Sequence, residues 1–184
     1  QAYRLDHPDT IEMMNKSTNR ILSIAKVHEM LYQSSDFTSI SFSRYVKELS
    51  QIIMNTMNKD DKEIDIISDI HVETININQG VPIGIIFNEL ITNSIKYGFQ
   101  KQSGNTIHIQ VNTLEDGRVQ VDYKDNGVGI NNFDAEKRSG LGITLVENLL
   151  AQLDAEFEYE TRQGFQLTFK FKPYSKPSPV EYLQ

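Results

Sequence analysis

The chain has 184 residues, 39% of them apolar and 23% charged, with a formal charge of −7 and a pI near 5.1. That length suits one domain, or a small domain with an appendage, and the apolar share supports a real core, which excludes wholesale disorder. Cysteine is absent, so disulfides, thiolate metal sites and cysteine nucleophiles are excluded, which is consistent with a reducing compartment. No apolar run approaches the ~18 residues of a membrane helix, and Arg4, Asp6 and Lys16 interrupt any signal-peptide layout near the start. The charge is uneven. Residues 1–60 hold seven of the 18 Lys/Arg and seven of the 25 Asp/Glu, so the whole −7 falls on residues 61–184. That balance argues against a nucleic-acid surface, which would want a basic face. Any anionic ligand of the second part must be held by local groups, not by the global field.

Residues 10–34 read as a helix. Met14, Ser17, Ile21, Ile24, His28 and Leu31 alternate by three and four, as in a bundle seam. Thr10 or Asp9 can cap it after Pro8, and Ser34–Asp36 ends it. A second helix runs from about Ser41 to Met57, with Tyr45, Val46, Leu49, Ile52, Ile53 and Met57 on its apolar side. The polar stretch from Asn58 to Lys62 is the expected domain boundary, giving units at 1–58 and 62–173 with a loose tail at 174–184. Strands are expected at Ile64–Val72 and Thr74–Ile77, then a helix over Val81–Gly98 started by Pro82. Thr106–Leu114 and Arg118–Asp125 form a hairpin through Asp116-Gly117. A Gly-rich segment covers Asn126–Gly140. A helix follows over Gly142–Leu153, then a closing hairpin, Glu156–Thr161 and Phe165–Lys172, turned by Gln163-Gly164. Strands in a row with helices on one side make an α+β, two-layer sandwich.

Three features carry chemistry. On the helix 81–98, about 100° per residue puts Phe87, Leu90, Ile91, Ser94 and Gly98 on the core side, and Glu89, Asn93 and Lys96 together on the opposite side. A carboxylate, an amide and an ammonium there can act on one ligand, although the plain alternative is a solvated face. In the second feature, Val119, Val121, Tyr123 and Asp125 share one strand parity, which sets Asp125 at the mouth of an apolar layer. A carboxylate there needs a donor, and a nucleobase amine would serve. The alternative is an ordinary Asp before an Asn-Gly turn. Gly127 and Gly129 let the backbone approach a ligand or bend sharply. The third feature is Ser139-Gly-Leu-Gly142 before a helix, where free amides favour phosphate.

In this order, Glu-x-x-x-Asn, then Asp-Asn-Gly-Val-Gly, then Gly-Leu-Gly, the chain resembles the ATPase superfamily of gyrase, the ninety-kilodalton heat-shock chaperone, histidine kinases and the mismatch-repair ATPase. FNELITNSIKYGF looks like the N box of a histidine kinase. RILSIAKVHEMLYQ, Arg20–Gln33, resembles the second dimerisation helix of short-lid sensor kinases related to the HWE class, and the lid from Asn131 to Arg138 is short. The resemblance implies a Bergerat-type ATP-binding fold preceded by a helical dimerisation segment. It implies ATP and Mg²⁺ as cofactors, with Asn93 as the metal ligand and Glu89 orienting the metal shell or the acceptor. Lys96 would meet phosphate and Tyr97 would flank the nucleotide. Asp125 would accept from the adenine amine in a pocket shaped by Gly127, Gly129 and Ile130. Gly140, Leu141 and Gly142 would face the phosphates, with Lys137 or Arg138 on the lid. The chemistry would be γ-phosphoryl transfer by positioning and charge neutralisation.

Some features depart from that family. Phe165 stands where the pattern usually has a threonine hydroxyl near adenine, and Asp154-Ala155 replaces a usual Gly-Gly turn. No acceptor box precedes the helix 10–34, so the chain is expected to begin near the end of the first dimerisation helix and to lack the usual phosphoacceptor. Of the four histidines, His7 lies before Pro8, His28 occupies a seam position, and His71 and His108 fall on strands; none pairs with another at metal-ligand spacing. The expected protein is the cytoplasmic catalytic region of a two-component sensor kinase, a homodimer through a four-helix bundle when intact. Its partner would be a response regulator, with no nucleic acid and no membrane contact. The alternatives are an anti-sigma-factor-type serine kinase and a nucleotide-free interaction module of the same fold.

Overall fold

The computed structural model describes residues 38–58, 60–130 and 141–174, together with Met14, Thr18, Ile21, Leu22, Ala25, Lys26 and Glu29, all of them helical. The elements are β1 (Ser39–Ser41), α1 (Phe42–Met57), β2 (Ile64–Ile70), β3 (Thr74–Asn76), α2 (Ile77–Asn93) with a π-helical turn at Ser94–Gly98, β4 (Asn105–Thr113), β5 (Val119–Asp125), α3 (Leu141–Gln152), β6 (Glu156–Glu160) and β7 (Gln166–Phe171). Five strands form one sheet in the order β2-β4-β5-β7-β6. β2 runs parallel to β4, and the other pairs are antiparallel.

The sheet follows the period-2 rule. Ile107, Ile109 and Val111 of β4, Val119, Val121 and Tyr123 of β5, and Leu167, Phe169 and Phe171 of β7 are all buried. Their neighbours His108, Gln110 and Lys124 are exposed. One face is therefore core and the other meets water. The helices close the core face: Ile83, Ile86, Phe87 and Ile91 of α2 and Val146, Leu150 and Leu153 near α3 join the same cluster. Each large apolar side chain removed from water there contributes roughly 1.5–3 kcal/mol. The architecture is the expected two-layer α+β sandwich.

Four details differ from the sequence expectation. First, the core crosses the polar break at Asn58–Lys62. Phe42, Tyr45, Val46, Leu49, Ile53 and Met57 of α1 belong to the same cluster as the sheet, so this helix is a layer of the sandwich. Second, Thr74–Asn76 does not join the main sheet. It pairs antiparallel with the unexpected β1, Ser39 opposite Asn76. Third, α2 starts five residues before Pro82. The Asn76 side chain accepts from the Asn78 amide (2.9 Å) and so caps the first turn, leaving Pro82 inside the helix. Fourth, the last turn before Gly98 is π-helical, closed by the Phe99 amide donating to the Ser94 carbonyl at 2.8 Å.

Asp154 explains how the chain manages without a Gly-Gly turn. It sits at φ 52°, the left-handed region. The Ala155 amide donates to Leu150 O and the Asp154 amide to Ala151 O, both at 3.0 Å. These are the two bonds of a Schellman cap, which needs a positive φ at its C′ residue, and Asp tolerates that better than most side chains. At the far end, Tyr174 is held by its amide donating to the Gln79 side chain (2.8 Å); the rest of the expected loose tail lies outside the described residues. No described helix is long and apolar enough to cross a membrane.

Candidate functional site

The site lies where α2, the end of β5 and the start of α3 meet. Its centre is Asp125. Strand parity carries the side chain inward, as expected, and it is 3% exposed. Its Oδ1 accepts from the amides of Gly127 (2.9 Å) and Phe165 (3.0 Å), and its Oδ2 accepts from the Ser94 hydroxyl at 2.5 Å. The Ser94 oxygen lies 2.8 Å from the Tyr123 hydroxyl. The Ser94 proton goes to the carboxylate, so Tyr123 is the donor to Ser94. Burial of Tyr123, reinforced by the charge of Asp125, pushes that phenol well above its usual range, which keeps it a donor. A carboxylate has about four lone-pair sites. Among the described residues three donors fill three of these sites, and the fourth is open.

Gly127 and Gly164 stand where the backbone around this carboxylate leaves no room for a side chain. A Cβ on Gly127 would lie 2.7 Å from the Gly98 carbonyl oxygen, and one on Gly164, at φ 82°, would lie 2.0 Å from the Asp125 carbonyl oxygen. Gly98 itself faces Asp125: a Cβ there would come 3.6 Å from Oδ2. The Val128 amide donates to Gly98 O (3.0 Å), and the Ile130 amide to Thr161 O (3.1 Å). Gly129, at φ 72°, lies against that same Thr161 carbonyl. The following Asn126 ties the end of β5 to the start of β4, accepting from the Thr106 amide and donating to Gly104 O, both at 2.8 Å.

The second half of the site is Glu89 and Asn93. A Cβ on Gly142 would lie 3.0 Å from Glu89 Oε2 and 3.7 Å from Asn93 Nδ2, so both side chains face the first turn of α3. The sequence placed Glu89 on a face opposite the core, where a solvated surface was the plain alternative. The structure corrects this. Glu89 is 2% exposed, with Asn88 and Thr92 beside it also buried, because α2 is covered by the sheet on one side and by α1 and α3 on others. Asn93 is half-buried. Lys96 is half-buried and Tyr97 exposed. Both stand on the π turn, whose i→i+5 bonding changes the angular step. The uniform 100° step that grouped Lys96 with Glu89 and Asn93 therefore does not hold there. Lys137, Arg138 and Gly140 lie outside the described residues, as does the side chain of Leu141. His7 and His28 also lie outside them.

Two parts of the site were missed from sequence. The helix period sets Ser94 on the core side; it is buried, but its hydroxyl serves Asp125. A hydroxyl on an otherwise apolar helix side was the available signal. The Phe165 contribution is its backbone amide, which no side-chain pattern reveals. Its ring packs on Tyr159 at 5.7 Å. Thr168, of opposite parity to Leu167 and Phe169, turns away to donate to Asp122 Oδ1 at 2.7 Å. The exposed histidines stand apart: His71 lies 3.0 Å from Asp69 on the sheet's edge strand. No cluster of metal-ligating side chains occurs among the described residues.

Comparison with known proteins agrees with this fold. The histidine kinase domain of a blue-light-activated histidine kinase from Erythrobacter litoralis superposes with a TM-score of 0.71 at 16% identity, covering 85% of this chain and 74% of that one. A histidine kinase from Acinetobacter baumannii gives 0.62 at 16% identity, over 91% and 82%. At such identities the likeness is one of fold. Among curated relatives, an anti-sigma F factor from Priestia megaterium is 33% identical over 85 residues, which is 40% of this chain; the chain spans 58% of that relative's length. Residues 1–57 match a histidine kinase family profile. Residues 78–175, more than half the chain and the whole of the site above, match a second profile. The chain belongs to the family of histidine kinase-, DNA gyrase B- and HSP90-like ATPases.

Proposed function

We propose that this chain is the ATP-binding catalytic region of a sensor histidine kinase of the short-lid, HWE-like class, acting in a two-component pathway. The observation that carries the reading is Asp125: a buried carboxylate with three donors fixed and one acceptor site open, walled by Gly98, Gly127 and Gly164. That suits an exocyclic amine on a flat, snugly held base, as adenine presents. The glycine crowding fits a close ligand approach, and the Asn93 amide beside Glu89 offers hard oxygen donors suited to Mg²⁺. Asn93 would hold the metal and Glu89 would orient its shell or the acceptor. Gly140, Leu141 and Gly142 would face the phosphates, and Lys96 with a lid cation, Lys137 or Arg138, would neutralise their charge. Tyr97 would flank the nucleotide and Ile130 would line the base pocket. Bound ATP would supply the γ-phosphoryl group; the chain's part is to orient and to exclude water.

On this reading the acceptor is a protein histidine and the onward partner a response regulator aspartate. The region works in the cytoplasm as part of a homodimer. The nucleotide-binding unit begins at β1, since α1 packs into its core, and the helical positions before it belong to the dimerisation segment. A second reading, an anti-sigma-factor-type serine kinase, is favoured by the curated relatives. The histidine kinase match over residues 1–57 favours the first.

Calorimetry with Mg-ATP tests the shared part: saturable one-to-one binding is expected, and a null titration overturns both readings in favour of an interaction module. Incubation with γ-labelled ATP and candidate acceptor proteins separates them. Phosphohistidine is lost in acid, whereas phosphoserine survives it. Acid-stable label on a hydroxyl substrate would establish the serine reading instead.

A further inference from the structure

The loop between α1 and β2 is built around one lysine. Lys62 Nζ donates to the Ile95 carbonyl (3.0 Å) and the Phe99 carbonyl (2.8 Å), 33 and 37 residues away. Its side chain is only 14% exposed. Ile95 lies in the π turn and Phe99 is its C-cap, and carbonyls in a helix's last turn have no partners within the helix. An ammonium there satisfies them and meets the negative end of the helix dipole.

Much of the surrounding structure serves to hold this lysine. The Asn58 side chain grips the Lys62 backbone twice, donating to its carbonyl (2.8 Å) and accepting from its amide (3.1 Å). Gln102 donates to the carbonyls of Asp60 (3.1 Å) and Asp61 (3.0 Å), and Asn105 donates to Glu63 O (3.1 Å). Asp61 adopts φ 49°, a conformation that costs a non-glycine residue energy. The π turn held by Lys62 ends in Gly98, which faces Asp125 Oδ2 and whose carbonyl fixes Val128 and crowds Gly127.

We propose that Lys62 is a positioning residue for the base pocket: by clamping the end of the π turn it sets the distance of Gly98 from Asp125, and so the fit of the base. Lys62 does not itself touch the ligand. The inference rests on the reading that Asp125 receives adenine.

The test compares wild type with Lys62→Met, Lys62→Arg and Gln102→Ala. Binding is measured for Mg-ATP and for Mg-tripolyphosphate, which has no base. Amide hydrogen exchange is followed in the nucleotide-free protein. Lys62→Met should weaken ATP by about tenfold, the effect of spoiling one hydrogen bond at the base, and leave tripolyphosphate unchanged. Exchange at Phe99 and Val128 should quicken while Val121 and Phe169 in the sheet keep their protection. Lys62→Arg, which can donate to both carbonyls, should restore both readouts. Equal losses for ATP and tripolyphosphate, or uniform loss of protection, would reduce Lys62 to a stability role and overturn the proposal. If Lys62→Met does not fold, Gln102→Ala carries the test, since it loosens the same loop from an exposed position. ATP affinity and Phe99 exchange equal to wild type in that variant would overturn it. If wild type fails to bind ATP, the nucleotide reading falls, while the exchange at Phe99 and Val128 still decides whether Lys62 clamps the turn.

Discussion

Asp125→Asn separates the chemistry of the carboxylate from its place in the fold. The amide keeps one oxygen, which can still accept from Gly127 and Phe165 as Oδ1 does now at 2.9 and 3.0 Å. The other position becomes an NH₂ facing Ser94. The Ser94 hydroxyl, now a donor to Oδ2 at 2.5 Å, must turn to accept. It can do so while still accepting from Tyr123, because a hydroxyl has two lone pairs, and its own proton can return to the helix carbonyl one turn back. The fold therefore loses only the charge assistance, about 1–2 kcal/mol. For a ligand the change is greater. The open acceptor becomes a donor, so an adenine amine meets a like group and forfeits a hydrogen bond to a charged partner. That is about 1.5–3 kcal/mol, or roughly 10- to 150-fold in affinity. A base with a carbonyl at the same position would gain by comparison. Calorimetry with Mg-ATP and Mg-ITP should show ATP weakened by that factor and the preference between the two narrowed or inverted. Thermal unfolding should show a cooperative, slightly lowered transition. ATP affinity within threefold of wild type would refute the placement of a base against Asp125. An unfolded variant would mean that the carboxylate is structural.

Three further expectations follow from local geometry. The Tyr45 hydroxyl is buried with no hydrogen-bond partner among the described residues, and a Cβ on Gly84 would lie 1.7 Å from it; Tyr45→Phe should therefore stabilise the protein by about 1 kcal/mol in urea unfolding. Gly84→Ala should cost more than about 2 kcal/mol, and less in the Tyr45→Phe background; equal costs in the two backgrounds would refute the contact. Asp154→Gly should raise stability by roughly 0.5 kcal/mol, since glycine adopts the positive φ freely but loses more entropy on folding; a loss above about 1 kcal/mol would point to a side-chain role for Asp154. The third concerns pH. Lys26 lies 2.6 Å from Glu48 and holds its carboxyl below the usual range, helped by Arg44, while Glu48 and then Glu29 raise the Lys26 ammonium above its ordinary 10.5. A depressed carboxyl stabilises above its unfolded value and loses that contribution as pH falls through its folded value; a raised ammonium loses its contribution only as pH climbs past 10.5. A double-mutant cycle with Lys26→Met and Glu48→Gln should give about 0.5–1 kcal/mol of coupling at neutral pH, fading in acid and above pH 10.5; a coupling unchanged in acid would refute it.

What the sequence made legible is what repeats with a period. Val119, Val121, Tyr123 and Asp125 alternate cleanly, so the place of Asp125 on the core-facing side of the strand is legible in the sequence. The helix wheel gave the core side of α2 for the same reason. It misjudged Glu89 because a wheel shows only which residues share a side, while the number of covered sides depends on how many elements pack around the helix. β1 was invisible: three residues are too few to show alternation, and they become a strand only by pairing with Thr74–Asn76. The π turn was invisible for a different reason. Its carbonyls are satisfied by Lys62, on a loop that the sequence separates from it by more than thirty residues. The Asn76 cap was legible in principle but lost to Pro82, which is a common first-turn residue and here stands inside the helix.

The place of α1 connects these observations. The histidine kinase match ends at its last residue, Met57, yet its buried side belongs to the ATPase core. On its outer side Glu48 meets Lys26, one of the helical positions before β1. At its C-cap, Asn58 grips Lys62, which clamps the turn beneath Asp125. A helix of 16 residues is a rod about 24 Å long. Its buried side packs into the core shared with the sheet. Lys26 and the turn beside Asp125 are thus joined through one helix, with an ion pair on its outer side and a hydrogen-bonded grip at its C-terminal end. A flexible linker at residues 58–62 would have separated the two; the lysine and the asparagine in that stretch fasten them together.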